Sequence, residues 1–221
     1  MIITRALWTF VRLFVLLGLL VGTGTSHATA RQETLLVVGD SISAAYGIPR
    51  ESGWVALLDK RLTEKFPMMF DVVNASVSGE TTAGGLVRLP DLLQQHAPDM
   101  VIVELGGNDG LRGMSLRQMQ SNLQQIVELS GEQGAEVVLL SVKLPVSYGV
   151  HFNKLFAKSF EDIEQSSSVM HIGLGFGDLN DRNLLQADGI HPTEDAQPIL
   201  FELIWSKIKT VVESISTDSN P

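Results

Sequence analysis

The chain has 221 residues, 44% of them apolar, enough for one well-buried domain and too few for two once a targeting segment is set aside. Its formal charge is −9, and losing Arg5 and Arg12 with the first thirty residues leaves −11; such a body repels polyanions, which excludes nucleic acid and anionic lipid surfaces as extended partners. No cysteine is present, which excludes disulfides, thiolate metal sites and a cysteine nucleophile.

Arg5 and Arg12 precede the apolar run Leu13–Val21, and small and polar residues then lead to Ala28-Thr29-Ala30, an A-x-A cleavage pattern. Residues 1–30 therefore read as a secretory signal peptide, the run being short for a membrane span and followed by no basic stop-transfer cluster. Cleavage after Ala30 would start the mature chain at Arg31, periplasmic or secreted, with no stable membrane anchor.

Strand-like and helix-like segments then alternate. Leu35-Leu36-Val37-Val38 is a buried strand that stops at Gly39-Asp40-Ser41. After the loop Ala44–Pro49, Trp54, Leu57, Leu58, Arg61 and Leu62 recur at helical spacing. Phe70–Val73 is a second strand opening into the small-residue loop Asn74–Thr82, which contains Gly79. Leu86, Leu89, Leu92 and Leu93 mark the next helix, with Pro90 expected in its first turn or at a bend. Met100–Leu105 is a third strand, ending in the glycine-rich turn Gly106-Gly107-Asn108-Asp109-Gly110. A clear amphipathic helix follows through Leu116, Met119, Leu123, Ile126 and Val127, and Val137–Leu140 is the fourth strand. Phe152–Ile163 reads as helix, Val169–Ile172 as a short fifth strand, and 173–190 as a long loop. A last helix spans about Thr193 to Val212, with Pro198 expected to bend its start. This alternation implies an α/β fold, a parallel sheet of about five strands between two helical layers, built as a single domain over 31–214 with a polar tail at 215–221.

Three strand ends deliver Ser41, Gly79 and Asn108 to loops, and Asp188-Gly189-Ile190-His191-Pro192 precedes the last helix. In an open α/β sheet the carboxyl ends of the strands are where ligands bind. A serine hydroxyl needs a base to act as nucleophile, and the base needs a group that fixes its tautomer. His191 can be that base and Asp188 that group, while the Ser41 N–H, the Gly79 N–H and the Asn108 side-chain amide can supply oxyanion donors. His96, His151 and His171 have no acid at matching spacing and read as structural. Asp40, Asp109, Asp188 and His191 show no metal-ligand spacing, so no metal is expected.

Gly39-Asp40-Ser41-Ile42, Gly79, Gly106-Gly107-Asn108-Asp109 and Asp188-Gly189-Ile190-His191 resemble, in order and separation, the four blocks of the SGNH or GDSL-type hydrolases. Ile42 stands where members of that family commonly have leucine. The resemblance implies a flavodoxin-like fold, Ser41 as nucleophile with His191 and Asp188, an oxyanion hole of Ser41, Gly79 and Asn108, and no cofactor. It also implies a monomer acting on short- to medium-chain acyl esters and thioesters, lysophospholipids among them. Gly107, Leu111 and Met114 on the glycine-rich segment, expected as a mobile loop, Tyr148 and Gly149 on another wall, and Ile190 beside His191 are the candidates for contacting the acyl chain. A carbohydrate O-acetyl esterase or acetyltransferase on the same site, or a non-catalytic binding module, are the rival expectations.

Overall fold

In the computed structural model, which describes residues 31–167, 169–175 and 183–218, the five expected strands form one sheet. The expected signal peptide, residues 176–182 of the expected loop and the last three residues lie outside those described. The strands are β1 (Glu33–Gly39), β2 (Phe70–Asn74), β3 (Met100–Glu104), β4 (Glu136–Val142) and β5 (Met170–Leu174). All pair in parallel, in the order β2-β1-β3-β4-β5. That order reverses beside β1, so the carboxyl ends of β1 and β3 flank the switch point where doubly wound folds bind ligands.

The helices are α1 (Trp54–Lys65), α2 (Thr82–His96), α3 (Gly107–Leu111), α4 (Leu116–Glu132), α5 (Val150–Ser167) and α6 (Gln197–Asp218). Successive side chains of a strand point to opposite faces. Leu35 and Val37 therefore join Trp54 and Leu58 of α1 and Leu200, Ile204 and Ile208 of α6 in one core layer. Leu36 and Val38 join Leu89 of α2, Leu123 and Ile126 of α4 and Phe160 of α5 in the other.

Proline and serine positions account for most departures from the expected boundaries. Helix α2 starts at Thr82, ahead of the leucine pattern, because Thr81 caps it by accepting the Gly84 amide at 3.3 Å. Pro90 consequently lies inside the helix, beyond its first turn, on an exposed position. Pro198 breaks nothing, since a 3₁₀ turn over Glu194–Ala196 delays the start of α6 to Gln197 and leaves the proline in the first turn, where an N–H has no helical partner anyway. At its other end α6 runs on to Asp218. Ser214 and Ser216 donate their hydroxyls to the Val211 and Glu213 carbonyls at 2.8 and 2.7 Å, and Ile215 packs on the core, so the first residues of the expected tail are helical.

Candidate active site

The turn after β1 is built for close approach. A Cβ on Gly39 would stand 2.7 Å from the Ser43 side chain and 2.9 Å from Ser76 Oγ, so only glycine lets the chain fold back there. Asp40 Oδ1 accepts the Ile42 amide at 3.0 Å, the Asp40 and Ser41 carbonyls accept the Ala44 and Tyr46 amides at 3.0 Å each, and Ser41 emerges nearly buried.

His191 reaches that serine from the loop before α6. Its Nε2 lies 2.8 Å from Ser41 Oγ, and its Nδ1 lies 2.7 Å from Asp188 Oδ2. Facing a carboxylate, Nδ1 carries the ring proton and leaves Nε2 free to accept from the serine. Asp188 Oδ1 also accepts the Ile190 and His191 amides at 2.9 and 3.0 Å. Burial opposes the Asp188 charge, but the bonds from the His191 ring and from those two amides outweigh it, holding the carboxyl down at about 2.

The loop is tied back at several points. Leu185 bridges Pro192, and the Gln186 side-chain amide donates to the Tyr46 carbonyl at 2.8 Å and to the Pro192 carbonyl at 3.0 Å. The Tyr46 ring lies against the His191 ring, 4.5 Å between centroids.

Asn108 sits at the start of α3, at the end of β3. Its Nδ2 gives one hydrogen to Asp40 Oδ2 at 3.0 Å, leaving the second for a ligand. The segment expected as a mobile loop is this short helix, and it is anchored. Buried Asp109 accepts the Thr82 amide at 2.9 Å and the Thr82 hydroxyl at 2.6 Å, while Asn122 Nδ2 donates to that hydroxyl oxygen at 3.0 Å. Gly79 adopts φ of +81°, a left-handed conformation open to glycine, and its carbonyl accepts Arg112 Nη2 at 2.9 Å. The Ser41 and Gly79 amides have no hydrogen-bond acceptor among the described residues.

A cavity of about 410 Å³ opens beside Ser41, within the size range of small-molecule sites. Of the expected lining residues, Gly107, Leu111 and Ile190 border it together with Ser41, Asn108 and His191. Met114, Tyr148 and Gly149 do not. Met114 is exposed, and Tyr148 instead donates its hydroxyl to the Leu111 carbonyl at 2.7 Å, with Gly149 beyond it closing a 3₁₀ turn through Val146. The remaining wall comes from Asp40, Ile42, Leu185, Gly189 and the segment Val142–Val146 at the end of β4, apolar but for Lys143, which carried no sequence signal of a cavity. A larger cavity, about 590 Å³, lies where β4 and β5 begin, bordered by Glu136 and Met170 and by no histidine. Among the described residues no cluster of three or more histidines and carboxylates could hold a metal ion.

Ser41 at a strand end is thus joined through His191 to Asp188, with Asn108 alongside. Residues 37–197 match the GDSL-like Lipase/Acylhydrolase family. The chain belongs to this family of GDSL/SGNH hydrolases. It is 46% identical to Esterase TesA of Pseudomonas aeruginosa over 186 residues, covering 83% of this chain and 91% of that protein. It is 38% identical to thioesterase 1/protease 1/lysophospholipase L1 of Escherichia coli K12 over 184 residues, covering 83% and 86%. A crystal structure of TesA superposes with a TM-score of 0.76 at 45% identity, covering 80% of this chain and 99% of that one.

Proposed function

We propose that the protein is an exported, monomeric serine hydrolase of carboxylic esters and thioesters of short- to medium-chain acyl groups, lysophospholipids among them. The observation that carries this reading is the unbroken chain from Ser41 Oγ through His191 to Asp188, at 2.8 and 2.7 Å. His191 Nε2 takes the Ser41 proton as Oγ attacks the acyl carbonyl, and Asp188 stabilises the imidazolium that results. The Ser41 and Gly79 amides and the second Asn108 Nδ2 hydrogen receive the oxyanion. Imidazolium then gives its proton to the departing alcohol or thiol, leaving the acyl group on Ser41, and water attacks that ester with His191 again as base.

Apart from Asp40, Lys143 and the reacting groups the cavity wall is apolar, which favours an acyl chain over an acetylated sugar, since Leu111, Val142, Leu144 and Ile190 offer no sugar hydroxyl a side-chain partner. The names of the relatives, esterase and thioesterase/lysophospholipase, point the same way. Export is supported by the A-x-A pattern after the apolar run, and no described helix is long and apolar enough to cross a membrane. The test is a chain-length series of p-nitrophenyl and acyl-CoA substrates with the chain from Arg31. Rates peaking at a medium acyl length are expected; activity confined to acetyl esters would favour the carbohydrate-esterase reading, and no activity on any member would overturn the hydrolase reading.

A further inference from the structure

The carboxyl group of Glu104 takes no part in these steps, yet it is buried beside them. Glu104 is the last residue of β3, 1% exposed, on the sheet face of Met100 and Ile102, where both neighbours belong to the apolar core. Its backbone carbonyl accepts the Asp40 amide at 3.1 Å. Its Oε2 accepts the Ser43 hydroxyl at 2.8 Å and again approaches the Asp40 amide, at 3.4 Å.

Asp40, 2% exposed, stands next to it and makes the two bonds that shape the reacting centre. One holds the Ile42 amide and so the turn that presents Ser41; the other holds Asn108 Nδ2. Among the described residues neither carboxyl has a cation paired to it. Two adjacent carboxylates, buried and without a cation, repel one another while neither is well solvated, so one of them keeps a proton.

The surrounding donors decide which. Burial comes first and Asp40 too stands above its ordinary value, but the Ile42 amide, the Glu104 side chain, a protonated His191 ring and the Asn108 amide all favour its charged form. Glu104 is pushed well above the ordinary carboxylate range, by burial first and by the Asp40 charge second.

We propose that Glu104, as a neutral carboxylic acid, is a positioning residue of this site: it lets Asp40 stay the one charged member of the pair, and Asp40 in turn aims the Asn108 amide and fixes the Ser41 turn. Glu104 thus acts through Asp40 and touches no substrate. In the ionised form it would turn its partner's charge from an asset into a liability, because Asp40 would then take up a proton and lose an acceptor that Asn108 and Ile42 require.

The inference rests on the hydrolase reading for its kinetic consequences and not for its proton. Glu104→Ala leaves Asp40 charged but removes the side chain packed beside it and the acceptor of the Ser43 hydroxyl, and through the looser Asp40 is expected to lower kcat for a p-nitrophenyl ester by up to about 10²-fold, the cost of displacing a catalytic group by about an ångström, with KM little changed. Glu104→Gln, neutral and nearly isosteric, is expected to restore most of that loss. In the double variant Glu104→Ala/Asn108→Ala the loss in kcat is expected to be smaller than the product of the single losses, because the two act along one line. Infrared difference spectra between the wild type and Glu104→Gln at neutral pH are expected to carry the carbonyl band of a protonated carboxylic acid, a readout that needs no turnover.

A missing acid band, a glutamine variant no better than alanine, or losses that multiply would each overturn the inference. If the wild type cleaves no ester, the hydrolase reading fails, and the infrared band still decides whether Glu104 holds the proton.

Discussion

Ser41 and Asn108 stand at the ends of two adjacent buried strands, whereas Asp188 and His191 hang on a loop between β5 and α6 with side chains 39% and 17% exposed. The strand-borne half is fixed by the core: Glu104 and Asp40 lie under it, and Thr82, Asp109 and Asn122 tie α3 to α2 and α4. The loop-borne half is fixed by a few polar bonds, those of Gln186 and of Asp188 to backbone amides, and by the Tyr46 ring. In the proposed reaction, donors that must meet a developing charge without reorganising are placed where reorganisation is costly. The proposed base, which must move a proton between serine and leaving group, is placed where small motions are cheap.

The largest effect that separates the halves belongs to the loop. Asp188→Asn is expected to lower kcat by up to about 10⁴-fold by favouring the wrong His191 tautomer, with only the modest fall in melting temperature that losing one largely solvated carboxylate brings; loss of the fold would place Asp188 among the structural groups. The pH profile sharpens the same point. Because the folded carboxyl is held down at about 2, its stabilising charge is complete above the unfolded value of about 3.9 and is lost only as pH falls through about 2. Above that window Asp188 is therefore expected to add no proton of its own to the acid limb of kcat/KM, and a slope of two there would assign it one.

Asn108→Ala comes next, with kcat lower by roughly 10²–10³-fold and KM nearly constant. Unchanged kcat would remove its amide from the oxyanion.

Thr82→Val tests the buried network under the strand-borne half. It removes the hydroxyl between Asp109 and Asn122 and is expected to cost about 1–3 kcal/mol, or about 2–4 °C of Tm for each kcal/mol. A variant as stable as the wild type would show that the network is not what fixes α3. The smallest effect is expected for Tyr46→Ala, a loss of a few-fold in kcat through looser placement of His191 with stability almost intact; a loss as large as that of Asn108→Ala would show the loop to be as rigidly required as the strand ends.

The candidate reacting groups that the structure brings together were legible in the sequence because each lies within a few residues of an element boundary that periodicity reveals. Ser41 follows the Leu35–Val38 run, Asn108 follows Met100–Leu105, and Asp188 and His191 precede the last helix. Their supports were not legible, because they work between segments far apart in the chain. Glu104 meets Ser43 across 61 residues and Gln186 meets Tyr46 across 140, with no local pattern to announce either contact. Glycine content read as loop where Gly107–Leu111 is helical, and the bonds that anchor that helix come from afar, from Thr82 on α2 and Tyr148 beyond β4. Met114 and Tyr148 failed as cavity residues for a related reason: nearness in sequence to Leu111 or Pro145 says nothing of which way a side chain faces after a turn.

Whether Ser41 carries the acyl group is decided by the turnover of a medium-chain p-nitrophenyl ester by the wild type and by Ser41→Ala at matched folded fraction. A loss on the order of 10⁴-fold or more with an unchanged melting temperature is the predicted result. A variant that keeps the wild-type rate would contradict it.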